Sequence, residues 1–114
     1  MTDNTNNQMN ILNLPNLPNK VWKLFDSPDK WCKRHWAKNS HGFTCSLYSK
    51  HATCWCLGAA IRLIYSTIEC EHIWGRVQRY LIDQLGREPF ISGYNDCPTT
   101  KFEDIVRLCK ELDI

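Results

Sequence analysis

With 114 residues, seven cysteines and a formal net charge of +2, the chain can build one modest core and is too short for two. It holds no run of about 18 apolar residues and no basic-then-apolar leader. The expectation is therefore a soluble, cytoplasmic protein with no membrane partner. An odd cysteine count in that setting favours reduced thiols over a disulfide framework.

Charge is uneven along the chain. Residues 20–62 carry eight Lys/Arg against two acids, and residues 69–114 carry six against nine. Such a basic front half could steer an acidic partner, although a solvated surface gives the same pattern. No dense basic run is interleaved with aromatics, so nucleic-acid binding is weakly supported.

Residues 1–19, with seven Asn and the pairs Leu14-Pro15 and Leu17-Pro18, read as a flexible tail that favours extended backbone before each proline. The domain is expected over 20–114. A short helix over Lys20–Asp26 follows Asn19, turning Val21, Trp22, Leu24 and Phe25 inward. Ser27-Pro28 offers a cap and a proline at the first helical position. It predicts a second helix over Pro28–Ala37, with Trp31, Cys32, His35 and Trp36 on one face. Residues 38–52 carry turn chemistry from Asn39-Ser40-His41-Gly42 onward, with Phe43–Tyr48 as an arm of a short β-hairpin near 42–52. The length of that irregular stretch makes it a place for a binding role.

The stretch Thr53–Tyr65 is apolar around almost its whole circumference, with Arg62 its one charge, and is predicted to be a central helix wrapped by the others. Its small residues Gly58, Ala59 and Ala60 let neighbours approach closely beside Cys56. Ser66-Thr67-Ile68-Glu69 is a capping box that starts a helix over Ile68–Leu85, stopped by Gly86. On it Ile73, Val77, Tyr80, Leu81, Gln84 and Leu85 share the inner face. Phe90–Pro98 reads as a compact turn. Thr100-Lys101-Phe102-Glu103 is a second capping box before a last helix striped by Phe102, Ile105, Val106, Cys109 and Leu112. The fold class is mainly α: about five helices around a buried one.

Three kinds of site compete. Cys32, His35, His41, Cys45, His51, Cys54 and Cys56 offer seven zinc ligands within 25 residues, with Cys32, His35, His51 and Cys54 the main candidates. Zinc needs four in a tetrahedron, and the spacings match no paired-knuckle pattern. Cys54 and Cys56 on one helix would point about 200° apart. A nucleophilic Cys56 with His35, His41 or His51 as base and Asn95 or Asp96 as orienting group has every residue type a cysteine hydrolase needs, but a thiol in an apolar helix is ordinarily inert. Asn95-Asp96 has a bland reading as a local turn; projecting inward instead, Asp96 would need Arg62 or a backbone N–H as partner. Trp31, Arg62, Asn95 and Asp96 are the candidate binding residues.

The chain resembles an uncharacterised family of small bacterial and phage proteins. The matching features are Trp31 with the Asn39-Ser40-His41-Gly42 turn, and Cys56-Leu57-Gly58-Ala59-Ala60. Tyr94-Asn95-Asp96 stands where the family has Trp-Asn-Asp, and Thr99/Thr100 lead into Glu103-Asp104-Ile105-Val106. The resemblance covers roughly residues 20–112. It implies a small α-rich fold and no particular activity; Cys54 and most His positions lie outside the shared pattern, against a family-wide metal or triad. Phage membership points by association to a host-directed or defence-related role.

The leading expectation is a non-enzymatic module that binds another protein. The alternatives are a small-molecule site or cysteine hydrolase at Cys56, and a zinc-stabilised module. A ligand-sized polar pocket holding Cys56, a His and Asp96 would count against the first.

Overall fold

The computed structural model describes residues 17–114; most of the Asn-rich tail lies outside them. Five α-helices and a two-stranded antiparallel sheet make up the described chain. The helices are α1 (Val21–Leu24), α2 (Leu57–Ile64), α3 (Thr67–Asp83), α4 (Ile91–Asp96) and α5 (Phe102–Leu112); the strands are β1 (Ala37–Asn39) and β2 (Ala52–Trp55). None of these helices is long and apolar enough to cross a membrane.

The centre is α2, in which Leu57, Gly58, Ala59, Ala60, Ile61 and Leu63 are buried. Around it close Val21 and Phe25 from the α1 region, Val77 and Leu81 from α3, and Ile105 and Leu108 from α5. On α3 the buried set Ile73, Val77, Tyr80 and Leu81 keeps the predicted helical stripe, while Gln84 and Leu85 are exposed. The Ser66/Glu69 capping box is formed at 3.1 and 3.2 Å. Gly86 sits at φ +62°, where a residue with a Cβ is strained, and its N–H bonds Ile82 O while Arg87 N–H bonds Leu81 O. That is the predicted glycine stop. The ends of the domain meet as Val21 and Trp22 N–H both donate to Ile114 O.

The helix predicted over Pro28–Ala37 does not form. Proline starts only a 3-10 turn over Pro28–Lys30. Beyond it Cys32 N–H donates to Trp55 O at 3.1 Å, Ala37 pairs with Trp55 in the sheet, and Arg34 stands at φ +69°, which no α-helix admits. Pairing to a distant strand overrode a local helix signal worth only tenths of a kcal/mol per residue, of order the propensity differences. Trp31, Cys32, His35 and Trp36 therefore do not share a helical face.

The central helix also starts later than Thr53. Residues 52–55 are strand β2, and Cys56 is the cap. The hairpin itself exists, but its arms are residues 37–39 and 52–55 rather than Phe43–Tyr48. Its Asn39 turn is as read: Asn39 Oδ1 accepts the N–H groups of His41 and Phe43 at 2.9 and 3.0 Å, with Gly42 at φ +81°. Two further boundaries shift. Phe90–Pro98 contains the short helix α4, and the last capping contact is Lys101 N–H to Asp104 Oδ2 at 2.9 Å. Thr100, predicted to cap, is buried instead.

Candidate functional site

Cys56 precedes α2 in extended conformation, and its Sγ accepts the Ala59 N–H at 3.4 Å. Four N–H groups at a helix start have no partner within the helix; the thiol takes one, and Asn95 Oδ1 takes another, from Leu57, at 2.9 Å. Cys56→Ala is expected to lose about 0.5–1 kcal/mol of stability as the cap disappears, and Cys56→Ser to lose nothing measurable. Urea denaturation of both variants checks this. Equal stability of the two would show that the thiol contributes no cap.

Asn95 is 1 % exposed and is fully used. Its Oδ1 also accepts Trp31 Nε1–H at 2.6 Å, and its Nδ2 donates to Cys32 O at 3.1 Å and to Asp96 Oδ1 at 2.9 Å. This is not a local Asx turn. One side chain joins α4, the start of α2 and the extended 31–32 segment. Asp96 completes the arrangement by accepting the Arg34 N–H on the same Oδ1 at 2.8 Å. The positive φ of Arg34 accompanies that contact. A backbone N–H, not Arg62, is thus the partner of the Asp96 carboxylate.

Arg62 lies in the second turn of α2, and its guanidinium stands 5.3 Å from the Trp36 ring centre and 5.1 Å from that of Trp74. This cation–π sandwich depends on Gly58. A Cβ there would lie 2.9 Å from Trp74 Cη2 and 3.8 Å from Trp36 Cζ3. The Trp74 indole therefore closes over the helix where it has no side chain, while Trp36 stands at ordinary contact distance.

Between these groups lies a cavity of about 420 Å³, within the roughly 300–1,000 Å³ of ligand sites. It is lined by Cys56, Gly58 and Arg62 from α2 and its cap, Arg34, His35 and Trp36 from the segment before β1, Trp74 from α3, and Ile91, Ser92, Asn95 and Asp96 from α4. Cys56, His35, Asn95, Asp96 and Arg62 thus line one space. Trp31, the other candidate binding residue, stands behind it as the partner of Asn95.

The hydrolase geometry is not assembled from them. His35 Nδ1 pairs with Thr44 Oγ1 at 2.8 Å, and none of the Asn95 hydrogen bonds goes to His35. Burial pushes the Cys56 thiol above its ordinary range; the Ala59 and Gly58 N–H groups pull it down, and the nearby Asp96 charge raises it. A protonated thiol is a poor nucleophile.

Of the four main zinc candidates only two are brought together. Cys32 and Cys54 are neighbours, and burial first, then the Cys54 thiol, pushes Cys32 up to about 12. His51 is exposed in the loop. Among the described residues no group of three or more His, Cys, Asp or Glu side chains is placed to hold a metal.

The model of one protein family matches residues 23–112. The chain belongs to DUF6197, a family of unknown function. The matched span runs from α1 to the end of α5, so the cavity and every residue that lines it fall inside the family domain. No curated protein and no solved structure matches the chain.

Arg34, Trp74 and Ser92 were not among the predicted site residues. Nothing in the sequence around Arg34 marks its positive φ, and Trp74 looks like any other aromatic on an amphipathic helix. The one usable signal was Gly58, a glycine inside a helix, which marks a close approach.

Proposed function

We propose that this family member is a small-molecule-binding domain whose site is the cavity at the amino end of α2. The observation that carries it is the cavity itself: a ligand-sized space with apolar indole walls and a few convergent polar groups, the usual make-up of a binding site. Cys56 serves there as helix cap and wall rather than as nucleophile, in keeping with its raised pKa and the commitments of Asn95 and His35.

A role as a protein-interaction module is the second reading. It is supported by exposed Phe43, Ile68 and Phe90, which are 68, 71 and 61 % exposed; these lie on a loop, on α3 and before α4, not on one shared element. A cytoplasmic setting belongs to the same proposal, since all seven cysteines are free thiols and reducing compartments keep them so.

A fragment screen read on the tryptophan indole N–H signals tests the site. Ligands are expected to move the Trp36 and Trp74 signals together, and Ser92→Phe, which fills the cavity from an exposed position, is expected to abolish the shifts while the fold persists. Shifts that survive Ser92→Phe would place binding elsewhere.

A further inference from the structure

The cavity is lined by two cations, Arg34 and Arg62, and one anion, Asp96; for Arg62 and Asp96 the hydrogen-bonding capacity is only part used. Guanidinium N–H groups radiate in the plane of the group. For Arg62 the two indoles flank the cation, and among the described residues its N–H groups make no hydrogen bond and no ion pair. A planar fork held between aromatic rings is preorganised for an acceptor that approaches edge-on, and a carboxylate matches that fork with two parallel bonds. Arg62 follows Gly58 by four residues, one turn along the same face of α2, and lines the cavity with it.

Asp96 stands in the same cavity. Both of its described hydrogen bonds, from Arg34 N–H and Asn95 Nδ2, fall on Oδ1; among the described residues Oδ2 accepts none. A carboxylate there repels a second anion in its vicinity and accepts from a donor. The walls between the two charges are Trp36, Trp74 and Ile91.

Building on the small-molecule reading above, we infer that the cavity takes a small carboxylate that also carries a hydrogen-bond donor: the carboxylate on the edge of Arg62, the donor on Asp96, and an apolar group against the lining of Trp36, Trp74 and Ile91. A free α-amino acid, with carboxylate, ammonium donor and apolar side chain on one carbon, is the simplest molecule that carries all three groups.

The test titrates single amino acids, their carboxamides and inorganic phosphate into the full chain, following the Trp36 and Trp74 indole signals. At least one amino acid with an apolar side chain is expected to bind, with its carboxamide at least tenfold weaker. Arg62→Gln is expected to lose at least tenfold in affinity. Arg62→Lys, which keeps the charge and loses the fork, should lose severalfold. Arg62 is exposed, so both variants are expected to fold, and their unshifted melting temperatures confirm that. Carboxamides binding as tightly as acids, or unchanged affinity in Arg62→Gln, would overturn the carboxylate and leave the cavity as a site for neutral molecules. Phosphate binding without any amino acid would overturn it in favour of a bare oxyanion site. Silence from every probe, amides included, would overturn this inference; silence in the fragment screen as well would remove the binding site itself.

Discussion

Asn95→Ala is expected to destabilise the domain by roughly 3–4 kcal/mol, since it strips partners from several buried groups at about 1–3 kcal/mol each before relaxation. The groups left bare are the Trp31 indole N–H, the Leu57 N–H and the Cys32 carbonyl. They belong to two distant parts of the chain, the 31–32 segment and the start of α2, so no single local adjustment repairs them. Asn95→Asp separates hydrogen bonding from size. It preserves volume and the Oδ1 acceptor but turns an oxygen toward Cys32 O and Asp96 Oδ1, which stand 3.1 and 2.9 Å from the present Nδ2 donor. At pH 7 it is expected to be as damaging as alanine. Chemical denaturation with matched m-values reads both. A loss below about 1 kcal/mol for Asn95→Ala would mean that water replaces these bonds and that Asn95 does not pin the fold.

The second large effect concerns a thiol outside the cavity. Cys97, at the end of α4 and partly exposed, has its pKa lowered to about 6 by the hydroxyl and then the backbone N–H of Thr99, followed by the Arg87 guanidinium. Its thiolate forms as pH rises through about 6. At pH 6 such a thiol is about half ionised, against roughly one in a thousand for an unperturbed group, a 500-fold difference in thiolate. The lower basicity of that thiolate reduces its reactivity about 20-fold, leaving a net advantage of roughly 20-fold. Brief iodoacetamide treatment at pH 6, mapped by peptide mass spectrometry, is therefore expected to label Cys97 first. Cys32, Cys56 and Cys109, all raised by burial, are expected to remain unlabelled. Preferential labelling of Cys56 would show an activated thiol and revive the hydrolase reading of the cavity.

Cys97 and Cys56 show what a sequence reading of cysteines misses. By residue type and by its place in an apolar run, Cys56 looked like the interesting thiol and Cys97 like part of a turn. The difference lies in neighbours brought by folding. Arg87 reaches Cys97 from beyond α4, whereas Cys56 meets core atoms and a carboxylate. Proximity in the chain predicted the Ser66/Glu69 cap, the Gly86 stop and the Asn39 turn, because each is closed by residues within about five positions and answers to local backbone chemistry.

The segment 28–37 failed for the opposite reason. Its Ser-Pro start and spaced Trp, Cys and His residues were a reasonable helix signal, yet the hydrogen-bond partners of Cys32 and Ala37 lie near Trp55, some twenty residues on. The same pairing moved the start of α2 from Thr53 to Leu57 and placed His35 and Trp36 on the wall of the cavity. Asn95 is the extreme case. Its partners stand 64, 63 and 38 residues away in sequence, and an Asn-Asp pair by itself suggests only a turn.

Sequence by itself determined the helical class, the buried α2, most of the inner faces of α3 and α5 (Leu108 was missed, and Gln84 and Leu85 are exposed), and the family, because hydrophobic period and capping chemistry act over one or two turns. Only the tertiary structure decided that Cys56, His35, Arg62 and Asp96 share one space. It alone showed that Asn95 holds that space together and that, among the described residues, the Arg62 N–H groups beside two indoles have no partner. Those facts depend on contacts between residues far apart in the chain, which the ordering of hydrophobic and polar residues along one segment does not specify.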